Sequence, residues 1–317
     1  MKPERIQLKR WLAVYAVAVS VFLFGGGLFA AGFFTRGLVN ENGSAVGTSA
    51  GNTFAGSTSA ADGDELVAAL LPDDGITVQA QWGDVMPRLV ELGVIDIDKF
   101  KTAAAGKGQP VTEEQLTILT QGSDENLRID ADNAYFMVTA LWALGIANKN
   151  PILEEGPMAE RGWENRGNYA ATGGWRLGEQ PGGEYVSAFE LLTLTADQQA
   201  ITEEVAYNSY RPCCGNSTAF PDCNHGAAAL GLAYLMASQG ASADDIFEAV
   251  KGFNSFWFPQ QYHTLARYFE QQGESWSEVD ARTVVGIEHS SSSGYKQVSA
   301  ALQPGGEVPQ AGAASGC

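Results

Sequence analysis

Three of the chain's four cysteines and one of its three histidines fall within thirteen residues, from Cys213-Cys214 through Cys223 to His225. Thiolate and imidazole are ligands for zinc, copper(I) and related soft or borderline ions. Four such donors close a tetrahedral site and leave no position for water, which suits storage, sensing or delivery and argues against an enzyme. The residue types are more specific than their spacing. No paired Cys-x-x-Cys knuckles, haem attachment or ferredoxin-like run occurs.

The same sulfurs have two other possible uses. Cys213 or Cys214 can pair with Cys223 in a disulfide, which would make the domain a stapled structural ectodomain. Cys213 with Cys214 is a poor pair, because neighbouring Cα atoms lie ~3.8 Å apart, below the usual disulfide range. Alternatively, Cys214 and Cys223 form the redox pair of a thiol-disulfide protein. A helix beginning near His225, capped by Asn224 or Asp222, would stabilise a thiolate at Cys223, and Arg211 adds positive charge. Cys317 follows a Pro/Gly/Ala-rich stretch from Gln303, with a statistical reach of ~20 Å. It is a candidate fifth donor or disulfide partner.

Other candidates carry less. His263 sits on a helical stretch and can approach the cluster. His289 precedes the serine run 290–293, which reads as a solvated loop. Glu154-Glu155 and Asp130/Asp132 are paired acids in an acidic chain. Neither a nucleophile elbow nor a phosphate-binding glycine loop is present.

The elements that position the cluster read as mainly α-helical. Helices are predicted near 83–92, 97–104, 113–120, 131–144, 196–209, 225–239, 243–253, 259–272 and 276–284. Capping boxes are predicted at Thr112, Thr195 and Ser242, and C-terminal glycines at Gly93, Gly145, Gly240 and Gly273. Only Gly75 to Ala80 alternates as a strand would. Ala134–Leu144 and Gly226–Gln239 are apolar nearly all round, so these should be the two buried central helices. Residues 148–186, rich in Gly, Pro, Trp and Tyr, read as an irregular layer over the helices in preference to a lid.

Charge and hydropathy place this domain. The net charge is −18 over 317 residues, and residues 1–36 hold five Lys/Arg against one Glu, so the remainder is more acidic still. Such a surface repels phosphate backbones, which argues against nucleic acid. Residues 1–10 form a basic, cytoplasmic tail. Residues 11–34 carry no charge and are long enough to cross a hydrocarbon core of ~30 Å as an uncleaved signal-anchor helix; the competing reading is a cleaved signal peptide, whose apolar core is normally only about 7–15 residues. Residues 35–63 become a Gly/Ser/Ala linker. The sequence thus predicts a single-pass cell-membrane protein with a helical extracytoplasmic domain over 64–290 and a flexible tail over 291–317. Its predicted partners are the membrane and a transition metal, zinc or copper.

Overall fold

The structure, a computed structural model, describes residues 60–302. The predicted basic tail, membrane anchor, most of the linker and Cys317 lie outside these residues. Among the described residues no helix is long and apolar enough to cross a membrane.

Helix α1 spans Ala60–Leu70, followed by β1 (Ile76–Gly83), α2 (Val85–Glu91), α3 (Ile97–Gly106), α4 (Glu113–Gln121) and β2 (Ser123–Ile129). Then come α5 (Ala134–Ala147), α6 (Ala196–Asn208), α7 (Asn224–Ser238), α8 (Ala243–Trp257), α9 (Pro259–Gln271), α10 (Ala281–Val285) and α11 (Ser292–Ala301). Single helical turns fill the gaps. The architecture is mainly helical, as the sequence predicts.

A helix with no polar face cannot be stable in water, and α5 and α7 show how the chain resolves this. Nearly every side chain of both is buried. They pack on each other, and α6, α8 and β1 also line α7. Gly145 and Gly231 set how closely they cross. A Cβ on Gly145 would run into the carbonyl oxygen of Ala227, and one on Gly231 into that of Leu141. Gly145 is therefore not the helix end that the sequence predicts. It lies inside α5, where the absence of a side chain allows backbone-to-backbone contact. Gly93, Gly240 and Gly273 do take the left-handed conformation that ends a helix.

All three capping boxes form, at Thr112, Thr195 and Ser242. The strand at 76–83 has an antiparallel partner, β2, paired as Ile76 with Ile129 and Thr77 with Arg128. Only Leu127 and Ile129 of β2 are buried. Its sequence, Ser-Asp-Glu-Asn-Leu-Arg-Ile, shows too little alternation to announce a strand with one wet face.

The 148–186 region is a packed layer. The Trp142 indole donates to Ala171 O at 2.7 Å, and that of Trp175 to Val94 O at 2.9 Å. The two rings meet edge to face at 4.8 Å. Two readings change near the C-terminus. The helix predicted over 276–284 is confined to 281–285. The serine run is not a solvated loop: Ser290 and Ser291 are buried, and Ser291 caps α11 by accepting from Gly294 N. Folded structure consequently continues past residue 290 to Ala301.

The glycine crossing has a direct test. Gly231→Ala should overpack the α5–α7 contact and lower stability by about 1–3 kcal/mol or more in chemical denaturation. Gly106→Ala, at a helix end with open space around it, should be neutral or slightly stabilising. Equal effects at the two positions would show that the crossing is not a close one.

Candidate functional site: a sulfur cluster at a helix mouth

The loop between α6 and α7 is wound around one side chain. Arg211 is 1% exposed, although a guanidinium is among the costliest groups to bury. Four acceptors surround it. Its Nη2 donates to Asp222 Oδ1 at 2.7 Å and to Phe220 O at 3.3 Å. Its Nη1 donates to Asn216 O at 3.0 Å, and its Nε to Cys223 Sγ at 3.1 Å. Asn216 Nδ2 holds the second Asp222 oxygen at 2.7 Å. Every partner comes from residues 216–223, so the guanidinium fixes the course of the loop.

Gly226 makes this possible. A Cβ there would overlap the guanidinium, which packs against the first turn of α7. The loop is also tied at its margins. Ser292 N donates to Cys214 O and Ala171 N to Asp222 O, both at 2.9 Å. Tyr169 and Phe220 meet edge to face.

Cys223 is the N-cap of α7, its Sγ accepting from Gly226 N at 3.4 Å. The sequence assigns that role to Asn224 or Asp222. Asp222 is already committed to Arg211 and Asn216, and Asn224 lies one residue inside the helix. His225 follows, buried against Phe258 at 4.4 Å and Trp257 at 5.9 Å.

These constraints bring the donors together. Cys213 Sγ stands 3.5 Å from Cys223 Sγ, and Cys214 Sγ 3.9 Å from it. One donor atom each from Cys213, Cys223 and His225 lies within 4.8 Å of the others. Cys214, Asp222 and Cys223 form a second such group. Cys223 is common to both. Two thiolates at ~2.3 Å from one ion, at the tetrahedral angle, stand ~3.8 Å apart, so the observed sulfur spacings suit a shared ion. No disulfide forms among Cys213, Cys214 and Cys223.

The electrostatics favour ligation too. Burial pushes the His225 imidazole down to about 4, with Cys223 opposing and Arg211 adding to the shift. The ring is therefore neutral at neutral pH, as a ligand must be. Burial works against the charge on Arg211, but the three neighbouring cysteines outweigh it and raise its pKa. A hydrogen bond with Cys213 pulls the Cys214 thiol down. The bond with Cys223, burial and the Cys223 charge prevail over that bond and over Arg211, pushing it up to about 12. Cys214 thus resists ionisation in the metal-free site.

The loop and helix mouth therefore hold the predicted Cys213, Cys214, Cys223 and His225 and could bind a metal ion, but not as the single four-donor set that the sequence suggests: Cys214 falls in a different donor group from Cys213 and His225. Asp222 joins them, an oxygen donor that a search for Cys and His misses. The signal in the sequence is its position between two prospective ligands. His263 is buried on α9 and belongs to neither donor group. His289 is held by Thr283 O at 2.9 Å against Tyr268 and Phe269. Asp130 accepts from Asp132 N and Asn133 N and pairs with Arg128, so it shapes a turn. Glu154 accepts from Ser187. No family model, curated protein or solved structure matches this chain.

The seat of the guanidinium can be tested separately from any ligand. Gly226→Ala should displace Arg211 and cost about 1–3 kcal/mol by overpacking. Arg211→Met should cost about 1–3 kcal/mol, because Asp222, partly exposed and still held by Asn216, then loses its charged partner. Wild-type denaturation midpoints for both variants would contradict the described packing.

Proposed function

We propose that this protein binds a soft or borderline transition ion, zinc or copper, in order to store, sense or deliver it. Cys213, Cys223 and His225 are the inner donors. Cys214 and Asp222 flank them, and Cys317 is a candidate further donor from the C-terminal stretch. Residues 11–34 anchor the chain in the cell membrane, with the helical domain on the extracytoplasmic side.

One observation carries the metal reading: two sulfurs and an imidazole lie within 4.8 Å of one another, Cys223 and His225 buried and Cys213 on the solvent side. Charge balance supports it. A divalent ion on two thiolates and a neutral imidazole forms a neutral unit, and the adjoining Arg211–Asp222 pair is neutral as well. A buried site tolerates such a sum far better than a set of naked thiolates. Arg211 would also act as the outer partner that orients a ligating sulfur, as hydrogen-bonded groups do around many metal sites.

Titration of the reduced, metal-depleted full-length chain with cobalt(II), and then with zinc in competition, tests this. One tightly held ion per chain, with sulfur-to-cobalt charge-transfer absorption, is the expected result. Cys223→Ser should lower affinity by at least the ~10–100-fold typical of losing an outer-sphere partner, since Cys223 serves both donor groups. Cys214→Ser should weaken binding less than Cys213→Ser does. Unchanged affinity in Cys223→Ser would overturn the proposal.

A further inference from the structure

A site built on closely spaced sulfurs can be closed by joining them. We infer that oxidation of Cys213 and Cys223 to a disulfide switches off the metal site, and that a dithiol restores it. This rests on the metal reading above and adds its regulation.

The geometry selects the pair. Cys213 Sγ and Cys223 Sγ are in van der Waals contact at 3.5 Å, closer than Cys214 Sγ and Cys223 Sγ at 3.9 Å. Bonding requires them to approach to ~2.05 Å, a movement of about 1.5 Å that one exposed loop side chain can make. Cys213 and Cys214 are adjacent, and their Cα separation of ~3.8 Å lies below the disulfide range. The two members also differ in access. Cys213 is exposed, whereas Cys223 is buried at the mouth of α7. An oxidant therefore meets Cys213 first, and Cys223 waits behind it within reach.

The oxidant class is a low-molecular-weight disulfide, R–S–S–R. The Cys213 thiolate attacks one of its sulfurs, releasing RS⁻ and leaving Cys213–S–S–R. The Cys223 thiolate then attacks Cys213 Sγ, forms the internal disulfide and expels the second RS⁻. Two electrons pass from the protein pair to the small disulfide, which leaves as two thiolates. Both sulfurs lose the negative charge that ligation needs, so two of the three inner donors disappear together. His225 alone is left of that set, and the ion departs.

Specific pairing distinguishes this switch from general thiol oxidation. The remaining sulfur, Cys214, sits between Cys223 and Asp222 Oδ1, with its backbone held by Ser292 N. It should stay a thiol through the cycle. Asp222 keeps its bonds to Arg211 and Asn216 in either state, so the loop need not unwind.

The test uses the full-length chain, metal-free and zinc-loaded, treated with oxidised glutathione and then alkylated. Released zinc is followed with a chromogenic chelator. Cleavage before Asp222 separates the peptide holding Cys213 and Cys214 from that holding Cys223. The expected products are one Cys213–Cys223 link, alkylated Cys214, one zinc released per link, and recovery of binding with dithiothreitol. Cys214→Ser should still form the link, and Cys213→Ser should stop at a glutathione adduct or remain reduced. A link through Cys214, or a Cys213–Cys223 link that leaves zinc bound, overturns the inference. If zinc never binds but the link forms, the metal reading fails and this switch fails with it. If zinc binds and no internal link forms, only the switch fails.

Discussion

A positive charge buried at the start of a helix is unfavourable twice, once for lost hydration and once for the like-signed end of the helix dipole. Arg211 occupies such a position, lying against the first turn of α7. It is tolerated because the loop that follows supplies a carboxylate, two carbonyl oxygens and a sulfur at hydrogen-bonding distance. That requirement explains most of the local sequence. Asp222 is the counter-charge and Asn216 steadies it. Gly226 gives the guanidinium room, and Cys223 completes the set as an acceptor. Negative charge at Cys223 answers both the guanidinium and the helix terminus. The features that settle Arg211 in the interior are thus the same features that prepare a sulfur ligand.

The rest of the fold serves to hold α7 still. Its crossing with α5 at Gly145 and Gly231 brings two backbones into contact, which leaves little freedom to slide. The aromatic pair Trp257 and Phe258, at the end of α8, closes over His225. The irregular layer and the start of α11 each add one backbone hydrogen bond to the cysteine loop. A site made of side chains from one loop and one helix end is in this way fixed by several elements distant in sequence.

Much of this was legible in the sequence, for identifiable reasons. Helices α5 and α7 announce themselves as central because they lack any polar face. The caps at Thr112, Thr195 and Ser242 announce themselves because their hydrogen bonds close within four residues. The donors Cys213, Cys214, Cys223 and His225 stand out by chemical type in a chain with few other cysteines or histidines. Contacts between distant segments were not legible. Gly145 looks like a helix end until Gly231 is placed against it. β2 is too polar to recognise without β1 beside it. Asp222 looks like a helix cap until Arg211 turns inward. Likewise, the serines at 290 and 291 look like solvated loop until the α10–α11 corner is packed around them.

The central claim is that two sulfurs and one imidazole at the mouth of α7 form a single coordination sphere. X-ray absorption at the metal edge of the zinc-loaded full-length chain tests it most directly. The account predicts a mixed shell, with sulfur near ~2.3 Å and nitrogen near ~2.0 Å, together with the outer-shell scattering of an imidazole ring. A shell of oxygen and nitrogen without sulfur would contradict it. So would a pure sulfur shell with no imidazole signature.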